Sequence, residues 1–131
     1  MRSFLAVFAF GMALAAAPEV QKTDIFPLDK EHNHASAIVE LPNGDLMVCW
    51  YRGSGERTAD DVRIMAARKK KGAAKWDAPF VLADVPEFPD TNPVIWIDSQ
   101  KRLWFYWQTI VANQWETAVT QVRISTDYLK P

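Results

Sequence analysis

Apolar positions along the chain fall into short runs rather than into a helical period. Residues 36–41 and 46–51 are rich in β-branched and aromatic side chains, which suit a pleated surface. Between them lies Pro42-Asn43-Gly44-Asp45. Pro presets φ for the first turn position, and Asn-Gly accepts the positive φ of a tight turn, so the two runs are predicted to form a hairpin. Residues 62–68 and 80–83 read as a third and a fourth strand, joined by a lysine-rich turn. The pattern then restarts, with strands predicted over 94–97, 103–107 and 117–125. Beyond the first 17 residues no stretch carries the i, i+3, i+4 spacing of an amphipathic helix.

The restart preserves register. A shift of 57 positions (103 − 46) carries Leu46 onto Leu103, Trp50 onto Trp107 and Ile38 onto Ile95. The same shift lays Pro42-Asn43-Gly44-Asp45 on Ser99-Gln100-Lys101-Arg102, turn on turn. Sequential short strands repeating in this way are the signature of β-propeller blades. The expected fold is therefore all-β, with antiparallel four-stranded blades. Blade one spans about 34–83 and blade two about 91–131, after a polar lead-in over 18–31. Closed propellers have about four to eight blades. Two blades point to part of a larger protein, with apolar sheet faces and free edges that would promote aggregation.

Composition narrows the partners. With 49% hydrophobic and 24% charged residues and a net charge of −1, the chain lacks the basic excess that nucleic acid or an anionic membrane would require. Residues 1–17 read as an export signal: Arg2 supplies the positive start, residues 4–14 the apolar stretch, and Ala13-Leu14-Ala15 a small-x-small cleavage site. This stretch is shorter than the roughly 20 residues of a membrane span. A secreted or periplasmic protein is expected. Cys49 has no partner within the chain and lies in an apolar run, so it reads as a buried small hydrophobe. The six Trp residues serve either a β core or stacking against sugar rings.

The candidate chemistry gathers at the open end of the first hairpin. His32 and His34 precede strand one, where blade-opening loops face a propeller axis. Glu56, Asp60 and Asp61 lie in the loop between strands two and three. Carboxylates whose pKa is tuned by their surroundings act as general acids and bases, and His does so near neutral pH. The same loop is also readable as a solvated connection with Asp60-Asp61 capping the next strand. Arg52 and Arg57 would bind an anionic sugar or simply offset those acids. Asp90 and Asn92, at the entry to blade two, would add polar contacts. His32-Asn33-His34 offers two imidazoles to a metal, but no third ligand is evident, so neither metal nor cofactor is expected. No Gly-rich phosphate loop, Cys-rich metal spacing or Ser-centred elbow is present.

These residues resemble a known family. Residues 34–46, Asp61-Val62-Arg63-Ile64, Asn92-Pro93-Val94 and residues 102–106 look like the opening blades of sialidase-like six-bladed propellers, built from the bacterial neuraminidase repeat with its Asp-box. That box, Ser-x-Asp-x-Gly-x-x-Trp, falls between strands three and four. Here Gly72 and Trp76 are read as its Gly and Trp, spaced one residue wider than in the box, with lysines for the Ser and Asp, and Ser125-Thr126-Asp127 is positioned to begin another. The resemblance implies an exo-glycosidase of the sialidase type, with an Arg triad, an acid/base Asp and a Tyr nucleophile assisted by a Glu. The triad is Arg because its fork pairs a carboxylate bidentately. This sequence has His34-Ala35-Ser36 where the family's first Arg motif stands, and the remaining Arg, Tyr and Glu are expected in later blades. Carbohydrate, sialic acid or another anionic sugar, is the implied partner, and these residues alone are expected to be inactive. A non-catalytic carbohydrate-binding propeller or a protein-interaction scaffold are the alternatives.

Overall fold

The computed structural model describes residues 17–128; all but the last residue of the expected export signal lies outside them. The first hairpin pairs β1 (His32–Glu40) with β2 (Leu46–Gly53), and β3 (Arg63–Lys69) and β4 (Phe80–Ala83) complete an antiparallel sheet in order β1-β2-β3-β4. A second sheet, β5 (Asp90–Ile97), β6 (Leu103–Ile110) and β7 (Ala118–Ser125), repeats the order β5-β6-β7. The one helical element described is a 3-10 turn at Trp115–Thr117. Among the described residues, no helix is long and apolar enough to cross a membrane. The fold is all-β, made of two propeller-type sheets.

The 57-residue shift holds at the level of backbone detail. In β1, pairing with β2 slips between His34 and Ala37; in β5, pairing with β6 slips between Thr91 and Val94. Each slip is a bulge with an extra residue, and each contains a left-handed residue, Ala35 (φ 50°) or Asn92 (φ 47°). The hairpin turns also correspond: Gly44 (φ 83°) matches Lys101 (φ 60°), and Gly44 N–H donates to Leu41 O as Lys101 N–H donates to Asp98 O. The third strands are related by 56 (125 − 69), so the β6–β7 connection is one residue shorter in effect.

Alternation along the strands gives each sheet two faces. Met47, Cys49, Tyr51, Ile64 and Ala66 form one face of the first sheet, its front. They pack against Ile95, Leu103, Phe105 and Trp107 on the back of the second. Phe105 and Trp107 stack within this layer, their rings 4.5 Å apart. Cys49 is fully buried there, and burial pushes its thiol up to about 12. The back of the first sheet, Val48, Trp50, Met65 and Ala67, is covered by Ile25 and Phe26 of the lead-in and by Trp76. Trp76, the Trp of the degenerate Asp-box, thus has a packing role, although counting back from it puts Lys69 and Lys71 at the box's polar positions and Ala73, not Gly72, at its glycine.

Candidate active site at the mouth of the first blade

Residues ahead of the apolar run continue β1 into the site. His32 pairs with Gly53, Asn33 with Arg52 and His34 with Tyr51. The bulge decides which side chains face where. Strict alternation from Val39 and Ala37 would send Asn33 to the front of the sheet and His32 and His34 to the back. One inserted residue reverses that parity. Asn33 turns to the back, where its side-chain oxygen accepts from Trp50 Nε1 at 2.9 Å. His32 and His34 turn to the front beside Tyr51, their ring centroids 5.7 and 5.5 Å from the phenol ring.

Glu56 closes the cluster from the β2–β3 loop. Tyr51 Oη donates to Glu56 Oε1 at 3.1 Å and lies 2.7 Å from His34 Nδ1. The same carboxylate oxygen lies 3.3 Å from His32 Nε2 and 3.5 Å from His34 Nδ1. Burial, with the Glu56 hydrogen bond and charge adding to it, pushes the Tyr51 hydroxyl up to about 12, so it stays protonated and acts as a donor. His34 and the carboxylate remain open to solvent, their side chains 61% and 36% exposed, whereas Nε2 of His32 is covered.

The other expected site residues are placed as follows. Asp61 accepts from Ser54 N–H at 3.1 Å and from Ser54 Oγ–H at 2.8 Å, which folds the loop that carries Glu56; these bonds hold its carboxyl below the usual range. Asp60 is exposed beside it. Arg52 is ion-paired with Asp29 and lies over the Phe26 ring, fastening the lead-in. Arg57 reaches the other way, its guanidinium 5.8 Å from the Trp115 ring centroid. Asp90 is buried behind the second sheet, accepting from Trp107 Nε1 at 3.0 Å, Thr109 Oγ1 at 2.6 Å and Val85 N–H at 2.7 Å. Burial pushes its carboxyl up, against the pull of those three bonds. Asn92 is exposed and donates to Gln108 Oε1 at 3.0 Å. Of the expected residues, His32, His34 and Glu56 therefore converge, and the others do not join them.

Tyr51 was not among the expected site residues, since its place in an apolar run marked it as core. Hairpin geometry contains the missing signal. A turn at Pro42-Asn43-Gly44-Asp45 places the end of β2 opposite the start of β1, hence Tyr51 opposite the His pair.

Two cavities adjoin these elements. One of about 320 Å³ opens beside His34, between Asn33, Ala35, Ser36, Trp50, Ile25 and Phe26. Another of about 310 Å³ lies between the sheets at the far end, lined by Met47, Phe80, Leu103, Phe105, Arg123 and Tyr128, away from the imidazoles.

Repeated antiparallel sheets stacked front to back, with polar groups gathered where strands open, define a propeller of the sialidase-like class. The chain belongs to the BNR repeat-like domain family, whose profile matches residues 44–130. Neither the curated proteins nor the solved structures compared with it contain a match.

Proposed function

We propose that the mouth of the first blade binds carbohydrate, and that within a closed wheel of blades it takes part in sialidase-type exo-glycoside hydrolysis. The observation that carries this reading is the convergence of His34, Tyr51 and Glu56 on hydrogen-bonded terms at a solvent-open strand end. A hydroxyl with a carboxylate already in reach has the arrangement of a nucleophile with its base. As Tyr51 Oη bonds to an anomeric carbon and the glycosidic C–O bond breaks, Glu56 would take the phenolic proton that keeps Tyr51 unreactive in the free protein, and a general acid outside this cluster would protonate the departing oxygen. His34 is placed to hydrogen-bond a sugar hydroxyl or carboxylate. Asp61 is left outside this chemistry because the loop uses both its oxygens. Export, expected from residues 1–17, is proposed with it.

A non-catalytic carbohydrate-binding role has one observation in its favour. Trp96, Trp104 and Tyr106 form an aromatic ladder on the front of the second sheet, with centroids 6.1 and 5.9 Å apart and Trp96 52% exposed. Calorimetric titration with a sialylated trisaccharide and its neutral parent separates the two. Binding to the chain that falls at least tenfold in Glu56→Gln and His34→Ala, and not in Trp96→Ala, supports the mouth. Binding lost only in Trp96→Ala overturns it. Release of a sialic acid reporter is expected to be absent, since the Arg residues that would clamp the sugar carboxylate are not beside the cluster.

A further inference from the structure

We propose that His32, His34 and Glu56 form a binding site for a divalent transition-metal ion of the zinc class. One donor atom from each residue falls within 4.8 Å of the others. The contacts to Glu56 Oε1, 3.3 Å from His32 Nε2 and 3.5 Å from His34 Nδ1, are more telling. Ligands about 2.0–2.1 Å from a tetrahedral zinc are separated from each other by about 3.4 Å, so the two imidazole–carboxylate edges of such a shell are already at length.

A separate observation points to the same place. His32 Nε2 is shut off from solvent and makes no hydrogen bond, although Glu56 Oε1 is close by. A buried polar atom without a partner is rare in folded proteins. A cation between Nε2 and the carboxylate would satisfy both. The local structure fixes the donors: His32 and His34 share one face of β1 because of the bulge, and the Ser54–Asp61 bonds brace the loop bearing Glu56. Tyr51 supplies an outer contact, donating to Glu56 and abutting His34. Loading would put the His34 proton on Nε2, so that Nδ1 gives up its hydrogen bond to Tyr51 and turns to the ion, and would leave the Tyr51–Glu56 bond in place.

The donor set selects the metal. Two imidazoles with one carboxylate suit zinc, copper, nickel or iron, whereas calcium and magnesium prefer oxygen alone. Three protein ligands at a solvent-open mouth leave a further position for water or a sugar oxygen, the pattern of catalytic rather than structural zinc. The second blade carries Pro89 and Thr91 at the positions of the two histidines, so the site is not a feature of the repeat.

The inference concerns the pocket of the proposed function but stands on donor geometry. The test is titration of the chelator-stripped chain with Zn²⁺ in competition with a chromophoric chelator. One equivalent is expected to bind. His34→Ala and Glu56→Gln should each weaken it at least tenfold, Tyr51→Phe by about tenfold, and excess Mg²⁺ should not compete. No stoichiometric uptake, or equal affinity in the variants, overturns the site. If a variant loses its fold, as read by Trp fluorescence, the ¹⁵N shifts of His32 Nε2 and His34 Nδ1 in the unsubstituted chain decide: both move on coordination, and unmoved shifts refute it. Zinc bound without sugar would overturn the carbohydrate reading alone; sugar bound without zinc would overturn the metal alone.

Discussion

The two sheets are copies in backbone and opposites in use. Both have the bulge, the left-handed residue within it, the hairpin turn and a Trp indole bonded to the residue 17 positions before it, Asn33 in one and Asp90 in the other. Yet the front of the first sheet is buried under the second, while the front of the second leaves Val94, Trp96, Val122 and Ile124 about half exposed. The chemistry is just as one-sided. Where the first mouth has His34 facing Tyr51, the second has Thr91 facing Gln108. A repeated sheet thus fixes where a functional side chain can stand, and substitution at the strand openings decides which copy uses the place.

Substitutions at matched positions sharpen this contrast. Asp90→Ala leaves three donors unpaired, two of them on buried Trp107 and Thr109, and should lower unfolding free energy by about 3 kcal/mol at a cost of about 1–3 kcal/mol for each buried orphan. Its counterpart Asn33→Ala leaves one donor unpaired, Trp50 Nε1; the acceptors it also frees, Glu31 O and Asp29 Oδ1, are reached by water, so the change should cost about 1 kcal/mol. Denaturant unfolding measures both, and equal losses would remove the asymmetry. Gly53→Ala comes next. Its new Cβ would fall 2.7 Å from Val62 Cα, backbone that cannot yield cheaply, so a loss of about 2 kcal/mol is expected in the same assay. The matching position in the second sheet holds Ile110, fully buried.

The smallest effect is one of pH, and it distinguishes the two hairpin turns. Asp98 holds the second turn. Partial burial works against its ionisation, but bonds from Trp104 Nε1 and from Arg102 N–H and Nε–H prevail and hold its carboxyl at about 2, below the usual 3.8. A depressed folded-state pKa stabilises the fold above pH 3.8, and that contribution is lost as pH falls towards about 2. Asp45 holds the first turn through Lys71 N–H and the Asn43 amide, which lower its pKa in the same direction. Melting temperature should therefore drop between pH 4 and 2, less steeply in Asp98→Asn. An unchanged slope would show that the second turn does not depend on the Asp98 charge.

The fold was largely legible because its signals are local. Turn residues and β-branched runs marked every strand, and Leu46, Trp50 and Ile38 recurred at Leu103, Trp107 and Ile95. Strand ends were less legible. β1 begins at His32 and β5 at Asp90, since polar residues beyond the bulge go on pairing, which no apolar pattern reveals. The site was legible by halves. His32, His34 and Glu56 stood out as residue types, but their meeting depends on a bulge that reverses parity and a loop that folds back through Asp61. Tyr51 was hidden because a buried strand aromatic and a site hydroxyl look the same in one dimension. Asp90 had the composition of a binding residue, and only the buried indole and hydroxyl it serves show its structural attachment.

Whether the first blade's mouth carries the proposed function and its copy does not is decided by one residue-resolved measurement. Side-chain NMR of the chain titrated with the sialylated trisaccharide should move the His34 and Tyr51 ring resonances while Thr91 and Gln108 at the matched positions stay still. Shifts confined to the second sheet, or divided equally between the two mouths, would contradict it.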